Sequence, residues 1–173
     1  MTFSVLESAI EETARENEMP EDLVIRLALE KAAAGLYTIR REERPSYPVL
    51  AADTVVVIDD SVLGKPSDAA HAFDMLERLS GRTHRVLTAV AVHDDRVPGQ
   101  RLSESFVTMK RLERWEMERY WATGEPRDKA GGYAVQGIGG GFVERLEGSY
   151  SGVVGLPMFE TRELLAAAGV DWL

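Results

Sequence analysis

Leu23, Val24, Leu27, Ala28 and Ala32 recur at positions that gather apolar side chains on one face of a helix. Pro20-Glu21-Asp22 suits a first helical turn, and Gly35 is the expected stop, which puts Lys31 in the last turn. The pattern then changes. Val49 to Ile58 is a nearly continuous apolar, β-branched run that predicts a buried strand, interrupted only by Asp53 and Thr54. Asp59-Asp60 predicts a turn and Val62-Leu63 a short return strand. Ser67 is placed to cap a helix over residues 68–79 that Gly81 closes.

Residues 86–92 and 102–109 predict a hairpin whose loop contains Asp94, Asp95, Pro98 and Gly99. Residues 112–121 read as a helix carrying Trp115, Tyr120 and Trp121 at helical spacing, a core or dimer contact, and ending before Gly124-Glu125-Pro126. Most of the fifteen glycines fall between residues 131 and 155, which predicts turns and close backbone approaches. An amphipathic helix is expected over 157–168, with Val170-Asp171-Trp172-Leu173 as a last strand or plug. This irregular alternation predicts an α/β fold, a twisted mixed β-sheet flanked by helices, in a single domain over residues 1–173.

Composition narrows the chemistry. A chain of 173 residues can bury a substantial core, and with no cysteine it has neither disulfides nor thiolate metal ligands, which fits a reducing cytoplasm. No apolar run approaches a membrane span, and the acidic start is unlike a signal peptide, so a soluble, untargeted protein is expected. A net charge of -9 argues against general nucleic-acid binding. A small phosphorylated substrate stays compatible with that field if a metal ion and a few lysines offset it.

Asp53 is the first chemical candidate, since a carboxylate in a buried run needs an ionic, hydrogen-bonding or metal partner. An Asp capping a turn at the strand end is the competing reading. Lys65, between Gly64 and Pro66, suits a point charge aimed at phosphate or an ordinary surface lysine. Glu11-Glu12 can favour the dipole of the first helix, sit in solvent, or join Asp53 in holding Mg²⁺. Asp128-Lys129 followed by Gln136 is either a surface salt bridge on a glycine-rich loop or a charged pair beside an amide able to read a base edge. His71, His84 and His93 lack zinc-site spacing and receive no metal.

Taken together, these segments resemble the Maf family of nucleoside triphosphate pyrophosphatases, whose fold is related to that of inosine triphosphate pyrophosphatases. The resemblance rests on Leu27-Ala28-Leu29-Glu30-Lys31-Ala32, Ala52-Asp53-Thr54-Val55-Val56, Gly64-Lys65-Pro66 and Leu79-Ser80-Gly81-Arg82-Thr83-His84. It continues in the same order through Thr123-Gly124-Glu125-Pro126, Asp128-Lys129-Ala130-Gly131-Gly132-Tyr133, Glu147-Gly148-Ser149-Tyr150 and Val154-Gly155-Leu156-Pro157. It implies hydrolysis between the α and β phosphates with a divalent cation, Mg²⁺ or Mn²⁺. Asp53 would be the proton acceptor or a metal ligand, and Glu12 would help anchor the metal. Lys31 and Lys65 would hold the triphosphate, with Asp128 and Lys129 beside it. Thr54 and Gln136 match the specificity positions of the branch similar to dTTP and UTP pyrophosphatases, so a small-molecule pyrimidine nucleotide is the expected partner. A homodimer is common in such families.

One departure accompanies this resemblance. Family members begin with a strand and a Ser-x-Ser-Pro-Arg-Arg turn, whereas this sequence opens at Met1-Thr2-Phe3-Ser4-Val5, at what resembles the following strand. Arg40-Arg41 lacks the Ser-Pro context. Activity of this short form is expected to suffer, and a start codon placed too far downstream is the favoured explanation. The competing functional reading is a non-catalytic nucleotide- or protein-binding regulator linked to cell division.

Overall fold

A computed structural model describes residues 3–6, 10–45, 47–94 and 99–171. Five strands, β1 (Val49–Ile58), β2 (Ser61–Leu63), β3 (Thr83–His93), β4 (Gly99–Met109) and β5 (Val143–Glu147), lie in the order β2-β1-β3-β4-β5. Five helices accompany them: α1 (Pro20–Arg41), α2 (Ala69–Leu79), α3 (Arg114–Ala122), α4 (Tyr150–Val154) and α5 (Met158–Ala167). The expected α/β architecture of a sheet flanked by helices holds. Strand direction differs from expectation, because all four pairings are antiparallel among the described residues. A tight connection accounts for the first of them. Asp59 and Asp60 both adopt positive φ, 51° and 57°, the backbone a two-residue β1–β2 hairpin requires. Strands β3 and β4 pair antiparallel from Thr83↔Thr108 to Val92↔Gly99, while residues 95–98 between them and the terminal Trp172-Leu173 lie outside the described residues.

Alternation along the strands divides the molecule into layers. Val55, Val57, Leu87, Ala89 and Ala91 face α1, which presents Leu23, Val24, Leu27, Ala28 and Ala32 as the periodicity predicts. On the opposite face Val56, Ile58, Val86, Val107 and Met109 pack with α2, α3 and Tyr133. Further along that face, Val90 and Val92 meet Leu164 and Leu165 of α5. Asp53 and Thr54 are consecutive in β1, so they leave the sheet in opposite directions.

Several local expectations are corrected. Helix α1 does not stop at Gly35 but continues to Arg41, leaving Lys31 near its middle. Gly35 serves close packing: a Cβ there would lie 2.8 Å from Val49 Cγ1, so the absent side chain lets α1 rest on β1. Asp68, rather than Ser67, caps α2 by accepting from the His71 backbone N–H. The glycine-dense stretch holds β5, α4 and two short 3₁₀ turns as well as loops. Phe3 to Leu6 form no strand, although Leu6 packs against Leu36, Ile39 and Val49. Among the described residues no helix is long and apolar enough to cross a membrane.

Candidate active site

A cleft of about 490 Å³ opens beside β1 and is lined by all the residues to which the family resemblance gives a role: Glu12, Lys31, Asp53, Thr54, Lys65, Asp128, Lys129 and Gln136. Three features of the fold bring them together. The segment before α1 is tied down by Arg26, which holds both carboxylate oxygens of Glu18 at 2.6 and 2.8 Å and donates to the Thr13 carbonyl at 3.1 Å. That anchorage sets Glu12 over the middle of α1. The β1–β2 hairpin then returns the chain so that Lys65 reaches the same side, and Gly131 N–H donates to the Gly64 carbonyl at 3.0 Å, joining the two loops. Gly131 has φ +69° and presses on Val56, with a Cβ there only 3.0–3.1 Å from the valine side chain, so a bare backbone is needed for this approach.

Lys31 organises the acidic end. Its ammonium lies 2.5 Å from Asp53 Oδ1 and 2.6 Å from Glu12 Oε1, while Lys65 Nζ stands 4.0 Å from Glu12 Oε2. Burial raises the Asp53 carboxyl above its ordinary pKa, outweighing the opposing effect of Lys31. Burial acts to lower the Lys31 pKa too, but its bonds to Asp53 and Glu12 prevail and raise it. Glu12 is more exposed and is held below the ordinary glutamate value, chiefly by its hydrogen bond from Lys31. Glu11 lies outside the cleft lining.

Glu12 and Asp53 thus point hard oxygen donors at one positive charge, here the lysine ammonium. That donor set fits a divalent cation of the Mg²⁺ kind, which takes one or two carboxylates and completes its shell with phosphate oxygens and water. Among the described residues no group of three or more His, Asp or Glu forms a cage of its own. A substrate would therefore complete the coordination.

The remaining candidates occupy the loops. Asp128 and Lys129 pair at 2.7 Å at the surface of the cleft, and Gln136 is exposed at its lip. Gln136 stands in a turn closed by a 3.2 Å bond from Gly137 N–H to the Ala134 carbonyl. Both limbs of this turn are pinned. Tyr120 Oη accepts from Ala134 N–H at 3.0 Å and donates to Glu125 at 2.7 Å; Glu125 in turn accepts from the backbone N–H groups of Ile138 and Gly139, each at 2.9 Å. Tyr120 is buried as a core residue, in keeping with one of the two roles its spacing offered, whereas Trp115 is exposed.

Four contributing residues lay beyond the sequence reading. Tyr120 and Glu125 hold the Gln136 turn, and no spacing rule connects them with it. His84 is buried, with Nε2 at 2.8 Å from the Tyr133 hydroxyl, Nδ1 unpartnered, and a pKa pushed down to about 4 by burial. Thr88 faces Thr54 across the β1–β3 pair, their hydroxyl oxygens 2.9 Å apart, and reaches the Gly152 carbonyl at 2.7 Å. The sequence shows only a threonine inside an apolar strand; its place opposite Thr54 comes from the strand register.

A family model described as Maf-like protein matches residues 1–168. The dTTP/UTP pyrophosphatase of Alkalilimnicola ehrlichii is 54% identical over 171 residues, 98% of this chain and 84% of that protein. The dTTP/UTP pyrophosphatase of Shewanella oneidensis is 48% identical, over 98% of this chain and 86% of its own. A nucleoside triphosphate pyrophosphatase of Haemophilus ducreyi is 47% identical, over 97% and 85%. The chain belongs to the Maf family.

Proposed function

We propose that this protein hydrolyses dTTP and UTP to the nucleoside monophosphate and pyrophosphate. The observation that carries the reading is the meeting of Asp53, Glu12, Lys31 and Lys65 with Thr54 and Gln136 around one cleft, in a chain so similar to dTTP/UTP pyrophosphatases. Lys31 and Lys65 bind the triphosphate and offset charge that develops as the anhydride breaks. Asp53 accepts the proton of the attacking water. The new bond joins that oxygen to the α phosphorus, the bond from the α phosphorus to the bridging oxygen breaks, and pyrophosphate departs. A carboxyl raised by burial is a stronger base than an exposed one, which suits this role near neutral pH.

Glu12 and Asp53 are the residues that would hold a divalent cation, Mg²⁺ or Mn²⁺, and such an ion supplies neutralisation of the phosphate oxygens and acidification of water. Thr54 and Gln136 read the pyrimidine edge, and Asp128 and Lys129 border the bound nucleotide. A regulator that binds nucleotide without turnover has no observation of its own in its favour.

Purified protein supplied with Mg²⁺ or Mn²⁺ is expected to release pyrophosphate from dTTP and UTP. Asp53→Asn, which keeps shape but loses basicity, should lower kcat by about a hundredfold or more. Undiminished release by Asp53→Asn removes Asp53 from the chemistry, and nucleotide binding without release by the wild type would favour the regulator.

A further inference from the structure

Thr88 is 1% exposed, and its hydroxyl has two oxygen neighbours, Thr54 Oγ1 at 2.9 Å and the Gly152 carbonyl at 2.7 Å. A hydroxyl carries one proton and a carbonyl carries none. Two oxygens 2.7 Å apart without a proton between them would repel, so the Thr88 proton is committed to Gly152. The Gly152 oxygen also accepts from Gly155 N–H at 2.9 Å, and its two lone pairs accommodate both donors. Thr88 can then meet Thr54 only as an acceptor, and the Thr54 proton must point at Thr88. What remains for Thr54 to offer the cleft is oxygen lone pairs.

We propose that the Thr88–Gly152 contact fixes Thr54 as an obligate acceptor and thereby selects uracil and thymine over cytosine. Uracil and thymine present a ring N3–H donor between two carbonyl oxygens. Cytosine presents a bare N3 lone pair beside an amino group. An acceptor at Thr54 pairs with the first pattern and opposes its lone pairs to the second. Gln136 cannot make this choice by itself, because an exposed amide can turn either its oxygen or its nitrogen to the base. Thr88 is a positioning residue: it reaches the base only through Thr54. The inference rests on the nucleotide reading above and adds the group that sets base choice.

The test is calorimetric binding of the α,β-methylene analogues of UTP and CTP, which resist cleavage, to the full chain with Mg²⁺. The wild type should prefer the uridine analogue by about tenfold or more, the scale of one mismatched hydrogen bond. Thr88→Val keeps the side-chain shape but frees Thr54 to turn its proton toward the cleft. Its preference should collapse toward unity through tighter binding of the cytidine analogue, a gain that damage to the fold would not produce. Thr88→Ser, which keeps the hydroxyl, should restore the preference. If Thr88→Val does not fold, Thr54→Val serves instead, and it should weaken uridine binding without improving cytidine binding. Equal or absent binding of the two analogues by the wild type overturns the proposal, as does a folded Thr88→Val protein that keeps the full preference, or a Thr54→Val protein that does. Hydrolysis of the parent triphosphates separates the two readings. Discrimination without hydrolysis removes only the pyrophosphatase, and hydrolysis of UTP and CTP at equal kcat/KM removes only this proposal.

Discussion

Lys31 holds two carboxylates on one ammonium, and removing it should expose what each contributes. In Lys31→Met, Asp53 loses its counter-charge while its surroundings remain apolar, so its pKa climbs further above the ordinary value. An acid raised in the folded state is disfavoured only when ionised. The penalty is therefore absent below the unfolded value near 3.8 and fully developed once the pH passes the folded one. Urea unfolding should find Lys31→Met less stable by about 2 kcal/mol at pH 8 and by clearly less at pH 4; a pH-independent loss would contradict this account. Asp53 was legible in the sequence because a carboxylate among β-branched residues is conspicuous. Thr88 was not, since its partner Gly152 lies 64 residues away and a threonine suits a strand without further explanation.

Among the elements, the turn bearing Gln136 is set from outside itself. Glu125 is held below the ordinary glutamate value: burial works against ionisation, but the bonds from Gly139, Tyr120 and Ile138 outweigh it. Glu125→Ala would leave those donors unpaired and release one limb of the turn. We expect a loss of about 2 kcal/mol in stability, and a KM for UTP that rises about tenfold while kcat falls less; an unchanged KM would show that the turn keeps its place without Glu125. The periodicities of α1 and β1 were readable because each buries one face or both. Strand β5 and helix α4 were hidden, since each is only five residues long beside glycine-rich segments and their form depends on pairing with β4 and on the Ser149 cap. Gly35 misled for a related reason, as the same residue that ends an isolated helix also permits contact with Val49.

Across the whole molecule, the layered sheet was predictable and its strand directions were not, because hydrophobic pattern reports which face is buried and not which way a neighbour runs. The buried His84 links this packing to acid stability. Its pKa falls from 6.5 to about 4 on folding, so the unfolded chain takes up a proton first as the pH drops. Its contribution is whole above pH 6.5 and is lost on the way down to about 4, amounting to about 3 kcal/mol at roughly 1.4 kcal/mol per pH unit. His84→Gln, which can still bond Tyr133 but does not titrate, should flatten that part of the stability profile in urea titrations at pH 7 and pH 5. An equally steep profile would place the acid sensitivity elsewhere. The opposite headings of Asp53 and Thr54 have a further consequence. Adjacent in sequence and bordering one cleft, they are packed by different layers, so the proposed tools for cutting an anhydride and for inspecting a heterocycle share a strand but not their supporting neighbours. Evolution could exchange the inspector and leave the cutter undisturbed.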